Sequence, residues 1–188
     1  MIARDDRSGR VAIRPWAEGD LWLLRRLLGE PEMMRFLGGP ESPEAIEARH
    51  RRYVGADPET HGLFAVTVGP DPEPVGWVGF WETEVDGEPM WECGWSVLPE
   101  AQGRGVAKAA AAQLIAEAAG RRRHRWLCAS PSVDNAASNA LCRALGFESR
   151  GETEVEYPKG HLMRSIDWRL DLWAGTNIAA GGAGAAAG

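Results

Sequence analysis

Residues 91–119 constrain this chain more than any other stretch. They read Trp91-Glu-Cys-Gly-Trp-Ser-Val-Leu-Pro-Glu100, then Ala101-Gln-Gly-Arg-Gly-Val-Ala-Lys108, then a run dominated by alanine. The β-branched and aromatic content of the first part suits a strand, closed by Pro99. Val106 to Ala119 consists almost throughout of strong helix formers. Between them lies a tight turn built on Gly103 and Gly105. A strand, a glycine turn and a helix N-terminus in that order make an anion site. The amides of a first helical turn lack intrahelical acceptors, and the helix dipole adds partial positive charge there. Glycine lets an anion reach the backbone with no Cβ in the way.

Spacing narrows the anion. A P-loop needs four residues between its glycines and then Lys followed by Ser or Thr, which nothing here provides. The dinucleotide fingerprint needs a third glycine three places after the second, where this chain has Lys108. What remains is Gln102-x-x-Gly105-x-Ala107 behind a strand ending in Leu98-Pro99-Glu100. A strand-to-helix turn that holds no ligand can carry the same residues, so support has to come from elsewhere in the chain.

The rest of the sequence sets the frame. The 188 residues fit one domain. With 44% hydrophobic and 26% charged residues, the chain can bury a sizeable core. A net charge of −6 argues against a general nucleic-acid binder. Cys93, Cys128 and Cys142 are odd in number and lack metal spacing, so they read as reduced, buried thiols of a cytoplasmic protein. The charged N-terminus has no signal-peptide core, and no run is long enough to cross a membrane.

In chain order, Val11–Pro15 reads as a strand and Glu18–Leu28 as a helix with leucines at helical spacing. A short helical turn carries Met33, Met34, Phe36 and Leu37. Ser42 and Pro43 look like an N-cap and first helical residue, opening a helix to about Val54. Strands follow at Leu63–Val68, Val75–Glu84 and Met90–Leu98, the last two joined by an Asp86-Gly87 hairpin. After the long helix comes a strand, Arg125–Ser130. A helix capped by Ser132 or Asp134 then runs to Leu145. Strands Glu148–Glu156 and Leu162–Leu172 flank a Pro158-Lys159-Gly160 turn. An antiparallel front half thus gives way to βαβα, which predicts a mixed α+β sheet with helices on both faces. One domain is expected over 1–173, and the Ala/Gly-rich 174–188 reads as a flexible tail. The basic run Arg121–Arg125 sits at the far end of the long helix, about 20 Å from the glycine turn. Cations are favoured there for their own reasons.

A second motif lies after the strand ending at Ser130: Asn135-x-x-Ser138-x-x-Leu141-x-x-x-Leu145-Gly146-Phe147. Together with Gln102-x-x-Gly105-x-Ala107, the element order and the opening Ile13-Arg14-Pro15-Trp16, it resembles the GNAT N-acetyltransferases, in their RimJ/RimL-like branch. The likeness covers about residues 10–172. It implies a GNAT fold: a central, mostly antiparallel sheet of about seven strands, splayed at the middle. It also implies acetyl-CoA as co-substrate and a primary amine as acceptor, with no metal. The expected partners are these two small molecules, with no nucleic acid and no membrane, in a monomer or a homodimer.

On that resemblance, backbone amides of Gly103, Arg104, Gly105, Val106, Ala107 and Lys108 hold the pyrophosphate, with charge added by Arg104 and Lys108. Gln102 belongs to the same motif. The pantetheine arm runs between the strands ending at Val97–Leu98 and at Ser130, and Asn135 hydrogen-bonds it unless it serves as a helix cap. Arg143 either reaches a coenzyme phosphate or lies on a solvated face.

Acyl transfer from a thioester needs a neutral amine, a stabilised oxyanion and a proton for the departing thiolate. The backbone amide near Val97 is the expected oxyanion donor. Glu92, ten residues before Gln102, is the expected base, with Glu82, Glu84 and Glu156 as alternatives. Many relatives place a tyrosine where this chain has Cys142, so Ser138 is the expected proton donor. That departure leaves open a catalytically silent acyl-CoA-binding sensor. Acceptor specificity is expected from the first two helices, the Asp86-Gly87 hairpin and the last hairpin, with Trp16, Trp22, Trp81, Tyr157 and His161 as candidate cleft residues.

Overall fold

The computed structural model of the protein describes residues 9–70, 73–158 and 160–174. Apart from Ala174, the segment expected to be a flexible tail lies outside these residues, as does Lys159 of the last turn. Among the described residues, seven strands form one sheet: β1 (Val11–Pro15), β2 (His61–Val68), β3 (Gly76–Val85), β4 (Glu88–Val97), β5 (Trp126–Ala129), β6 (Glu148–Glu156) and β7 (Leu162–Asp171). Their order across the sheet is β1-β2-β3-β4-β5-β7-β6. Every neighbouring pair is antiparallel except β4 and β5, which run parallel. The mixed, mostly antiparallel sheet read from the sequence is therefore present.

Among the described residues, five α-helices accompany it: α1 (Leu21–Gly29), α2 (Pro31–Met34), α3 (Pro43–Val54), α4 (Val106–Arg121) and α5 (Ala136–Ala144). Helix α4 lies on one face of the sheet. Its buried Val106, Ala110, Leu114 and Ala118 recur every fourth residue and pack with Val66, Val78, Phe80 and Trp91, as does Cys142 of α5. With Ala111, the buried face of this helix carries three alanines, Ala110, Ala111 and Ala118. On the opposite face, Leu23, Leu24, Leu27 and Leu28 of α1 pack with Met34, Ile46, Ala65, Trp77 and Leu98. Full burial of each such leucine is worth about 1.5–3 kcal/mol. Helices thus cover both faces.

Helix α3 starts as its sequence suggests: Pro43 is the first helical residue, and Ser42 Oγ accepts from the Ala45 N–H at 3.3 Å. Helix α5 differs from expectation. Its cap is Asn135, not Ser132 or Asp134, because Ser132 closes a turn of its own. The Ser132 hydroxyl accepts from the Asp134 N–H at 3.3 Å and its carbonyl from the Asn135 N–H at 3.0 Å. This turn delays the helix until Asn135 Oδ1 can accept the Ser138 N–H at 3.0 Å.

The basic run beyond α4 is taken up locally. Arg121 donates to the Pro58 carbonyl, Arg123 and His124 meet Glu82, and Arg125 meets Asp171. Among the described residues, no helix is long and apolar enough to cross a membrane.

Candidate active site

Parallel pairing between β4 and β5 is confined to Trp91 with Leu127 and Glu92 with Cys128. Beyond those residues the two strands part, and β4 continues to Val97 with β3 as its only strand neighbour. Backbone direction then decides what the gap contains. The Leu98 N–H donates to the Val75 carbonyl at 2.8 Å, on the β3 side. Successive residues of an extended strand aim their polar groups to opposite sides, so the Val97 amide and carbonyl face the gap. Gln102 Nε2 donates to that Val97 carbonyl at 2.8 Å. The glutamine of the motif is therefore a tie: it satisfies the carbonyl that β5 abandons and anchors the turn to the strand end, leaving the Val97 N–H as a donor at the gap.

The turn itself has the required shape. Gly103 (φ 69°) and Gly105 (φ 77°) are both left-handed, a conformation costing other L-residues about 1–2 kcal/mol. A Cβ on either would meet nothing within 4 Å. The glycines are thus required by backbone conformation, and the space in front of them is open. Helix α4 begins immediately after, and its first turn closes on the Ala109 N–H, which donates to the Gly105 carbonyl at 3.0 Å.

A cavity of about 530 Å³ connects these features. On the α4–α5 side it is lined by Trp95, Gln102, Gly103, Gly105–Lys108, Asn135 and Ser138. On the other face it is lined by Met33, Arg49, Tyr53, Trp77 and Tyr157. Ser96 and Val97 lie where the two halves meet. The gap between β4 and β5 thus joins a compartment bordered by a helix N-terminus to one walled by aromatic rings, which suits two substrates meeting at one point.

The sequence matches the family described as Acetyltransferase (GNAT) domain over residues 10–148. The chain belongs to the GNAT acetyltransferase family. Its fold is also that of several solved members. Spermidine N-acetyltransferase from Vibrio cholerae, in complex with CoA and spermine, is 18% identical with a TM-score of 0.72, covering 87% of this chain and 96% of that one. RimL, a ribosomal-protein α-N-acetyltransferase in complex with coenzyme A, is 18% identical with a TM-score of 0.68, covering 88% and 96%. The ribosomal-protein-S5-alanine acetyltransferase from Vibrio fischeri is 18% identical with a TM-score of 0.70, covering 86% and 93%. No curated protein matches the sequence. As a GNAT member the protein is an acetyl-CoA-dependent N-acetyltransferase.

Within this GNAT site the expected residues separate into those brought to the cavity and those held away. Asn135 lines it, and capping α5 occupies only its Oδ1. Ser138 lines it and its Oγ accepts from Trp95 Nε1 at 3.3 Å, which leaves the hydroxyl proton available. Cys142 is fully buried in the α4-side core, where burial pushes its thiol up to about 12. Arg104 is exposed on the turn but does not line the cavity. Leu98 is buried under α1, and its carbonyl accepts from the Ala101 N–H at 2.9 Å. Ser130 lies outside the lining, and Arg143 places its guanidinium 5.7 Å from the Trp168 ring centre instead.

Glu92 shares a face with Gly94 and Ser96 but is not among the cavity-lining residues. A Cβ on Gly94 would stand 3.2 Å from the Trp81 ring and 3.3 Å from the Trp77 ring, so the two indoles close over this glycine between Glu92 and Ser96. Burial raises the Glu92 pKa, opposed by the Trp81 indole N–H that donates to its Oε2 at 3.0 Å. Among the alternative acids, Glu82 is held below its ordinary range by His124 and then Arg123. Glu156 accepts the Gly160 N–H at 2.7 Å.

Several site residues carry no signal in sequence. Arg49 and Tyr53 stand on a strongly polar helix whose charges look like a solvated face. Trp95 and Trp77 read as core aromatics, and only the splay shows that they border a ligand space. Asn139 is a buried hub: Nδ2 donates to the Ser132 and Asn135 carbonyls at 2.9 Å each, and Oδ1 accepts from Trp168 Nε1 at 2.8 Å. Its place inside the asparagine motif is the one hint of this. The Asp86-Gly87 hairpin, expected near the acceptor, is at the opposite end of β4 from Val97, about 30 Å away at 3.3 Å per residue.

Proposed function

We propose that the protein transfers an acetyl group to a small-molecule or peptide amine by direct attack in a ternary complex with acetyl-CoA. The observation that carries this reading is the single cavity running from the glycine turn, through the β4–β5 gap, to the aromatic compartment. Amides of residues 103–108 at the start of α4 bind the pyrophosphate, with Lys108 adding charge, and Asn135 Nδ2 meets an amide of the pantetheine arm. The amine nitrogen attacks the thioester carbonyl, the C–N bond forms, and the Val97 N–H stabilises the negative charge on the carbonyl oxygen. The C–S bond then breaks and the thiolate takes a proton from water relayed through the Ser138 hydroxyl, which gives one proton as it regains another. The amine loses its own proton to Glu92 through water, since that carboxylate does not itself line the cavity. Deprotonating an α-amino group of pKa ~7.8 at pH 7 costs about 1 kcal/mol, against about 4.6 kcal/mol for a lysine-like amine.

Coenzyme A titration by calorimetry, followed by thiol release against a panel of amines, tests the reading. Binding with amine-dependent thiol release supports it. Binding with no release from any amine favours the silent sensor, and absence of binding removes both.

A further inference from the structure

The last turn of β4 puts different side chains on its two faces. Cys93, Trp95 and Val97 turn to the α4 core, so Glu92, Gly94 and Ser96 face the other way. Trp77 of β3 stands directly opposite Ser96 in the register and packs with the α1 core, which places the Ser96 side chain on the acceptor face. Ser96 is half-buried and lines the cavity. Polar side chains around it are already engaged: Arg49 pairs with Glu41 and donates to the Tyr157 hydroxyl at 3.0 Å, Glu32 pairs with Arg35, and Gln102 holds the Val97 carbonyl. Ser96 Oγ has no hydrogen-bond partner among the described residues. Nor is it sealed off. Among those residues the buried side-chain atoms that lack a partner are the Trp77 and Trp91 indole nitrogens, so Ser96 Oγ is open to the cavity.

Covalent geometry fixes where that hydroxyl stands. Four bonds join Ser96 Oγ to the Val97 nitrogen through Cβ, Cα and the carbonyl carbon, a span of at most about 5 Å. A thioester oxygen that accepts from the Val97 N–H therefore has this hydroxyl beside it, on the side of the aromatic compartment. A nitrogen poised for attack, ~3–3.5 Å from the thioester carbon, comes within reach of Oγ. Ser138 stands on the other side, since its donor Trp95 belongs to the opposite face of β4. One hydroxyl thus serves the sulfur, and the other faces the arriving amine.

We propose that Ser96 positions the acceptor amine: its Oγ accepts a hydrogen bond from the amine N–H, aims the nitrogen lone pair at the thioester carbon and starts the proton on its way out. This rests on the acetyltransferase reading above. As the C–N bond forms, the nitrogen gives one proton to Oγ and the hydroxyl gives its own to the water that serves Glu92, so the serine ends as it began. A hydroxyl suits the task because it accepts and donates through one atom.

The test is steady-state thiol release at saturating acetyl-CoA, with phenethylamine, spermidine, kanamycin and an alanine-led octapeptide, on Ser96→Ala, Ser96→Thr and Ser96→Val. Threonine and valine share one shape and differ in the hydroxyl, so comparing them removes the effect of added bulk beside Trp77. Ser96→Ala should lower kcat/KM at least about five-fold for every amine the parent acetylates, as loss of one hydrogen bond implies. Its Tm and its coenzyme A Kd should match the parent's. Ser96→Thr should exceed Ser96→Val by a similar factor. A smaller loss in Ser96→Ala, or equal turnover by the threonine and valine variants, overturns the proposal. So does a loss of coenzyme A binding in Ser96→Ala as large as its loss of turnover. These results leave the acetyltransferase reading standing, because the parent still releases thiol. A parent that releases none with any amine, or does not bind coenzyme A, removes that reading and this proposal together.

Discussion

Gly105→Ala separates the conformational need for glycine at the turn from the need for open space in front of it. Gly87, at the tip of the β3–β4 hairpin, is a matched control. Its φ is 80° against 77° for Gly105, and a Cβ at either meets nothing within 4 Å. Forcing alanine into the left-handed region costs about 1–2 kcal/mol at each position, a drop in Tm of about 2–8 °C for a chain of this size. Only at Gly105 does the new methyl occupy the space an anion must enter. Losing one amide-to-phosphate hydrogen bond costs about 1.5–3 kcal/mol, a rise in coenzyme A Kd of about 10–150-fold. Calorimetry with coenzyme A and thermal melts on both variants give the answer directly. Equal melting losses with a binding loss confined to Gly105→Ala are expected. An unchanged Kd in Gly105→Ala, or an equal Kd loss in Gly87→Ala, would refute the placement of the anion.

Other variants address the chemistry. Glu92→Gln should slow acyl transfer with coenzyme A affinity retained; an unchanged pH–rate profile would move the base elsewhere. The same variant has a stability signature. Burial raises the Glu92 pKa, so the contribution of this group is complete below the unfolded value of ~4.3 and is lost as pH rises through the folded value. Glu92→Gln, which keeps an acceptor for Trp81, should melt higher than the parent at about pH 8 and equally near pH 4. A parent-like Tm at the higher pH would contradict the raised value. Ser138→Ala should lower turnover more than Cys142→Ala, whose buried thiol is pushed up to about 12 and lies outside the cavity. Equal small effects in a thiol-release assay would retire the serine as proton donor. Gln102→Ala frees the Val97 carbonyl and should cost about 0.5–1.5 kcal/mol in a denaturant melt. A variant as stable as the parent would remove the tie.

What the sequence made legible was local. Alternation marks the strands, and the alanine-rich run marks α4. Ser42-Pro43 marks the start of α3, whose cap geometry depends on three neighbouring residues. The glycine turn was legible for the same reason, because left-handed backbone restricts residue choice. The misplaced features depend on competition between neighbours or on distant partners. Asn135 caps α5 because Ser132 turns back on the chain first, a competition between three adequate capping residues. Gln102 has its role only because β5 parts from β4 after the Glu92–Cys128 pair, five residues before Val97, which no local pattern encodes. The Asp86-Gly87 hairpin was rightly found and wrongly located, since a turn signal does not say which end of the sheet opens. Arg49, Tyr53 and Trp77 became site residues when α3 and β3 met, and their sequence neighbours gave no sign of it.

The central claim is that the turn at residues 102–108 and the gap beside Val97 hold one thioester carrier. Calorimetric titration of the full chain with coenzyme A, and then with its 3′,5′-ADP portion, which lacks both the pyrophosphate link and the pantetheine arm, tests it most directly. The account predicts saturable one-to-one binding of coenzyme A and far weaker binding of the fragment, because the turn and the gap contact the missing parts. Equal affinity for the two, or no heat with coenzyme A, would contradict it.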